Sequence, residues 1–169
     1  MYGKRPVKKL SYSTFEKILQ IISGVIVILS FLLISIYWSK LPNKIPTHYD
    51  ALGSPDAWGQ KDSIFILPVI SLILYIVLSL LIRIPHVYNY IVEITKENVE
   101  YQYRNSRRLL ICLKTELVCI FMYILWKTIL ISLGRSQGLG AIFTPVSLII
   151  IFGTLLYFII KSIRFRHKS

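Results

Sequence analysis

The sequence predicts an all-α protein, a four-span transmembrane helical bundle with both ends in the cytoplasm and a long third helix projecting from the membrane into the cytoplasm. Three observations carry that expectation. Hydrophobic residues fill 54% of the 169 positions and charged residues only 17%, too few to cover the outside of a water-soluble domain. Four apolar runs, at about 15–38, 63–84, 109–133 and 143–163, each reach the roughly 20 helical residues that cross a hydrocarbon core. The basic residues between the runs are distributed unevenly. Lys4, Arg5, Lys8, Lys9 and Lys17 flank the first run, Arg83, Lys96, Arg104, Arg107 and Arg108 mark the middle connection, and Lys161, Arg164, Arg166 and Lys168 follow the last. Opposite them stand only Lys40, Lys44, Lys61 and Arg135, a bias that places both termini and the middle connection inside.

The chain therefore reads as a single membrane domain over 1–169, with an outer loop at 39–62 and a cytoplasmic connection at 85–108. The net charge of +12 sits beside apolar runs and not along a soluble face, which suits anionic lipid headgroups and excludes direct nucleic-acid binding. Membrane lipids are the expected surroundings, and a homo-oligomer is compatible with the pattern. The first run follows a basic leader like a secretion signal, but it is too long for one and no small-residue cleavage site follows, so it reads as an uncleaved span.

Each element has its local signals. Ser13-Thr-Phe-Glu16 is a capping box that opens the first helix. Asp62 or Ser63 caps the second, and Pro68, inside it, is expected to loosen or kink that helix. Thr95 is a good N-cap for a helix from about Lys96 to about Leu133, since no proline or glycine interrupts that stretch. Thr144-Pro145 predicts that the regular part of the fourth helix begins at Pro145. Cys112 and Cys119 lie on one face of the third span and read as small packing residues, not as a disulfide framework.

The outer loop concentrates the chemistry. Pro42 and Pro46 stiffen its first half, Gly53-Ser-Pro55-Asp56 is turn chemistry, and Trp38 and Trp58 suit headgroup level. His48, Asp50 and Asp56 form the single cluster able to hold a metal or move a proton, yet His-x-Asp plus one more carboxylate is a weak match to a zinc site, which takes four ligands, at least three of them protein groups. The plain reading gives Asp50 and Asp56 to turns and His48 to a hydrogen bond within the loop. No catalytic residue, metal or cofactor is expected, with a His48-dependent membrane enzyme as the outlying alternative. In the third span, Lys114, Glu116 and Lys127 place charge near hydrocarbon depth, which costs about 2.5–3.5 kcal/mol for a central unpaired group, and Tyr123 shares a helix face with Glu116 and Lys127. Snorkelling from opposite ends of a tilted helix is the simpler account, and a polar stripe facing the bundle interior, with Glu116 paired to a basic neighbour, is the sharper one.

These residues also carry a resemblance. The stretch from Leu41-Pro42 through Ile45-Pro46, His48-Tyr49, Gly53, Pro55-Asp56 and Trp58 to Lys61 resembles the L-P-x-x-I-P-x-H-[FWY]-x-x-x-G-x-P-D-x-W-x-x-K signature of the domain of unknown function 1648, at every fixed position. Tyr88-Asn-Tyr90, Val92-Glu-Ile-Thr-x-Glu-Asn98, Gln102-Tyr-Arg104, Arg107-Arg108, Gly138-Leu-Gly140 and Phe143-x-Pro145 extend it over nearly the whole chain. The resemblance implies a bacterial cytoplasmic-membrane protein, commonly Gram-positive and of unassigned activity. It also implies kinship with the SdpI-type immunity proteins, which resist a secreted peptide toxin and can hold a regulator at the membrane. Those proteins continue into further spans of a second domain, and four spans alone do not imply immunity. The functional expectation is recognition of a peptide toxin or lipid through the loop residues Pro42, Pro46, His48, Gly53, Pro55, Asp56, Trp58 and Lys61. Asn98, Gln102 and Arg104 are the expected cytoplasmic surface for a regulator. The alternative is a small transporter or transporter accessory that uses the polar residues of the third span.

Overall fold

The structure, a computed structural model, describes residues 5–166, so Lys4 and Lys168 of the charge count lie outside the described residues. It is mostly helical. Helices α1 (Thr14–Tyr37), α2 (Ile66–Leu81), α3 (Val99–Ser132) and α4 (Phe143–Arg164) are long and apolar enough, α2 together with the turn before it, to cross a membrane. Their outward faces are greasy: Ile21, Ile149 and Phe152 are each more than 60% exposed. Their inward faces are partly polar. On α1 the buried stripe is Glu16, Ser23, Val27, Ser30 and Ile34, a spacing that keeps two small serines on the buried face of the helix. Ser23 and Ser30 return their hydroxyls to Gln20 O at 3.1 Å and Val27 O at 2.6 Å, so close approach leaves no hydroxyl unpaired.

The loop between α1 and α2 corrects the all-α expectation. It folds into an antiparallel hairpin of β1 (Lys44–Tyr49) and β2 (Pro55–Gln60). Alternation of apolar and polar residues, the usual strand signal, is absent because an irregularity after Pro46 buries Ile45 and Pro46 side by side. Prolines in both strands are tolerated because a two-stranded sheet consists of edges. At the hairpin base, Ile34, Leu41, Ile45, Ile64, Leu125 and Ile129 form the principal buried apolar cluster, joined by Tyr37, Trp38 and Met122.

Helix boundaries follow the sequence with three local differences. Neither Asp62 nor Ser63 caps α2: residues Lys61–Phe65 form a 3₁₀ turn, and Ser63 Oγ donates back to Gln60 O at 2.5 Å. Pro68 then falls in the first α-helical turn, where its missing N–H leaves nothing unsatisfied, so it starts the helix and does not kink it. For the same reason Pro145 sits inside the first turn of α4, which begins earlier, at Phe143. The Ser13–Glu16 capping box is present on both sides. Before α3, Thr95 Oγ1 accepts from Asn98 N at 3.3 Å while Asn98 Oδ1 accepts from Thr95 N at 2.9 Å, a reciprocal cap one turn ahead of the regular helix.

At 34 residues, α3 is about 51 Å long. It is the spine of the fold, packed against α1, α2, α4 and β1. Both ends of the described chain meet its N-terminal turns, where Tyr103 Oη donates to Pro6 O at 3.2 Å and Asn98 Nδ2 to Arg166 O at 2.6 Å. The hairpin meets its C-terminal turns, so the bundle has a hairpin end and a terminus end.

Candidate functional site

The hairpin end is built from its turn outward. Asp50 closes it: its N–H donates to Ser54 O at 2.9 Å, and its Oδ1 accepts from Leu52 N at 2.9 Å and Ser54 N at 2.8 Å. Gly53 N donates to Asp50 O at 2.9 Å, and Gly53 adopts φ +79°, a left-handed conformation at no steric cost for glycine. The turn is therefore Asp50–Gly53, not the Gly53–Asp56 stretch that its composition suggested, and Pro55 opens β2. Asp56 is free of turn duty and meets His48 instead, with Nδ1 and Oδ1 2.6 Å apart. The His48 side chain is 70% exposed and that of Asp56 44%, so the pair ties the two strands together in water and adds little stability. Pro46 is buried opposite Trp58, a residue 54% exposed, and Pro42 is exposed just before β1. Lys61 lays its ammonium 4.3 Å from the centre of the Trp38 ring.

Beneath β1 lies a cavity of about 360 Å³. Its floor is Ile124, Leu125 and Thr128 of α3, and its roof is the strand from Pro46 to Asp50. Ile66 and Leu67 of α2 wall one side, and Leu139 with Phe143 and Thr144 of α4 wall the other. The lining is mainly apolar, with one well-placed polar pair: Tyr49 Oη and Thr128 Oγ1 are 2.6 Å apart. Thr128 spends its single hydrogen on Ile124 O at 2.8 Å, so the phenol donates to Thr128 and keeps lone pairs for a ligand. Burial pushes the Tyr49 phenol up from its usual range, which keeps it neutral.

The roof is latched to the α3–α4 loop through backbone. Leu139 N donates to Gly53 O at 2.7 Å, and a Cβ at Gly138 would stand 2.5 Å from that same oxygen. This contact explains the glycine at 138. Tyr123 and Lys127, expected as intramembrane polar residues, hold the other side of the latch: Tyr123 Oη donates to Leu139 O at 2.7 Å and Lys127 Nζ to Ser136 Oγ at 2.7 Å. Glu116 stands apart. It accepts from Thr154 Oγ1 of α4 at 2.6 Å, and no basic side chain among the described residues pairs with it.

A family model described as "Domain of unknown function (DUF1648)" matches residues 25–72. The chain carries a DUF1648 domain. No curated protein and no solved structure matches the chain. The DUF1648 segment takes in most of α1, the whole hairpin and the start of α2, hence the roof and one wall of the cavity. The floor, the far wall and the latch partner come from outside it.

Outside the DUF1648 segment, the terminus end overturns three expectations. Asn98 and Gln102 are not a partner surface: both are 1% exposed. Asn98 Nδ2 also donates to Glu93 O at 2.9 Å, while Gln102 donates through Nε2 to Ser162 O at 3.0 Å and accepts through Oε1 from Ser162 Oγ at 2.6 Å. They satisfy carbonyls that the end of α4 leaves open. Arg104 alone of the three faces solvent, paired with Glu100 at 2.8 Å. Lys114 does not snorkel. It is 0% exposed, donates to Gln20 Oε1 and to Ser79 Oγ at 2.9 Å, and sits 4.3 Å from the centre of the Tyr75 ring. The basic neighbour expected beside Glu116 is not there among the described residues; the buried ion pair at this end is instead that of Glu16, to which Arg107 makes two bonds of 3.0 Å while donating to Leu10 O and Ser11 O at 2.8 Å each. The sequence marks Glu16 only as a capping residue. The same carboxylate does both, since its Oε2 also accepts from Ser13 N at 2.6 Å.

Proposed function

We propose that this multi-pass membrane protein recognises an amphiphilic molecule at the outer face of a bacterial cytoplasmic membrane, with an apolar anchor of a secreted peptide seated beneath the hairpin. The observation that supports this reading is the roofed cavity of about 360 Å³. Ligand sites are concave and mainly apolar with a few fixed polar groups, and this one lies near the low end of their about 300–1,000 Å³ range. It has room for one or two large side chains or a short acyl segment. The exposed Leu52 and Trp58 on the hairpin supply apolar contact beside it. The outer location rests on the excess of Lys and Arg at the terminus end.

The chemistry at this end is that of binding. His48 faces a single carboxylate, and the second nearby acid, Asp50, commits its Oδ1 to two turn N–H groups. An immunity or sensor role is the biological form this recognition takes by resemblance to SdpI-type proteins. For transport, the alternative, Glu116, Tyr123 and Lys127 would have to act together, yet each is tied to a separate local partner.

The test is protection. The chain is expressed in a toxin-sensitive Gram-positive strain without immunity genes and challenged with secreted peptide toxins. Ile66→Trp narrows the cavity from a position that is 55% exposed, so the core is spared. Protection by wild type that Ile66→Trp loses at equal membrane abundance supports the reading. Equal protection by both proteins would place recognition elsewhere, and no protection by well-inserted wild type would sink the immunity role for those toxins.

A further inference from the structure

A second cavity, of about 620 Å³, opens between α1 and α2 at the terminus end. It is lined by Tyr12, Lys17, Gln20, Tyr75, Ser79 and Arg83, with Ile21 on its apolar side. Its charge is unbalanced. Neither Lys17 nor Arg83 has an ion-pair partner among the described residues. Directly behind the lining is Lys114, 0% exposed, whose contacts are to Gln20, Ser79 and the Tyr75 ring. All three are neutral. The acid closest in sequence, Glu16, turns away into α3 and is neutralised by Arg107 at 3.0 Å, with Arg108 at 3.7 Å.

A buried ammonium without a counter-charge is costly, and two further cations on the same cavity raise the cost by mutual repulsion. An anion in the cavity reverses the sign of each of these terms. Tyr12 and Ser79 add hydroxyl donors, and Lys and Arg together with hydroxyls are the donor set of phosphate. The cavity is far roomier than a lone phosphate requires. Its apolar side runs onto Ile21, which is 65% exposed on the outward surface of α1, where an acyl chain would lie.

We propose that this cavity binds the phosphodiester of an anionic membrane phospholipid, held by Lys17 and Arg83 with Lys114 supplying fixed positive charge behind Gln20 and Ser79. The site is separate from the hairpin cavity and does not depend on the function proposed for it.

The experiment is native mass spectrometry of the full chain in neutral detergent, titrated in turn with phosphatidylglycerol, phosphatidylcholine and inorganic phosphate, with melting followed in parallel. Phosphatidylglycerol should give a one-to-one adduct that survives activation and raises the melting temperature. A double variant, Lys17→Gln with Arg83→Gln, should weaken that adduct about 30-fold, from two near-surface cations, while melting like wild type without lipid. Equal retention of phosphatidylglycerol by the double variant, or no preference for it over phosphatidylcholine, overturns the proposal. Stabilisation by inorganic phosphate alone that matches the lipid overturns the lipid as occupant. Lys114→Met gives a second reading: it should remove the preference for phosphatidylglycerol even though Lys17 and Arg83 remain, and a preference left unchanged counts against the buried charge.

Discussion

Replacing Gly138 by alanine tests the latch that holds the roof over the hairpin cavity. The new methyl would stand 2.5 Å from Gly53 O, 3.3 Å from Gly53 C and 3.5 Å from Ser54 Cα, and all three are backbone atoms. Ordinary C···O contact begins near about 3.3 Å, so the carbonyl must retreat by roughly 0.8 Å. Carried along the N–H···O direction, that retreat stretches the 2.7 Å bond from Leu139 N to about 3.5 Å, the limit of hydrogen bonding. The lost bond is worth about 1 kcal/mol and the overpacking about 1–3 kcal/mol. A total of about 2–4 kcal/mol moves the latched-to-open ratio by about 30- to 700-fold.

The assay is amide hydrogen exchange in lipid nanodiscs, read on peptides covering 44–60 and 134–142. Gly138→Ala should speed exchange in both by at least about 30-fold and leave α1 unchanged. Gly153→Ala is the control, because a Cβ at Gly153 meets nothing within 4 Å. Hairpin exchange in Gly138→Ala within about threefold of wild type would refute the latch.

Glu16→Gln leaves a buried Arg107 without its ion-pair partner and should cost about 3–5 kcal/mol, read as reduced resistance to thermal aggregation in detergent. The double variant Glu16→Leu with Arg107→Met should recover only part of this, since Leu10 O and Ser11 O also lose a donor, and full recovery would mean those bonds carry nothing. Thr128→Val removes the acceptor of the Tyr49 phenol and should cost about 1–3 kcal/mol, read as faster exchange at 44–50; an unchanged rate would show that the phenol does not need Thr128. Asn98→Ala uncovers the end of α4 and should speed exchange about tenfold in 160–166 with the bundle otherwise intact, whereas a variant that exchanges like wild type would return Asn98 to the role of a surface residue.

Much of this fold was legible because hydrocarbon solvent imposes a coarse code. Run length gives the four spans, and the Ser13–Glu16 pair is a capping signal readable at three-residue spacing. The hairpin was not legible. Its six-residue strands carry prolines, its burial does not alternate, and its apolar contacts come from Leu125 and Ile129 far along the chain. In the candidate site, the loop residues were found but not their partners: the cavity floor and the latch lie some 80 positions downstream of the hairpin. Lys114 could be recognised as a problem but not solved, since Gln20 and Ser79 become its neighbours only when three helices pack. Asn98 and Gln102 looked like surface because polar residues on a charged helix usually are. What buries them is the open carbonyl end of α4, which no side-chain pattern announces.

The two ends of the molecule are held by different bonds, and this decides how they can communicate. Along α3 the terminus end is pinned by Arg107, with four hydrogen bonds to Glu16 and the N-terminal segment, and by buried Lys114. Sliding α3 past α1 would break these together, so α3 is the fixed member. Helix α4 is the least buried of the four and packs chiefly on α3. Its first turn follows directly on the Gly138–Gly140 segment that grips the hairpin, and its last turn is capped by Asn98 and Gln102. A ligand that lifted the hairpin would pull on α4, and a response carried by that helix would arrive at the terminus end as a change in that cap. The Gly138→Ala variant separates the cases. If α4 transmits, opening the latch loosens exchange at 160–166 as well as at the hairpin, and if α3 is the route, 160–166 stays protected while the turns around Arg107 change.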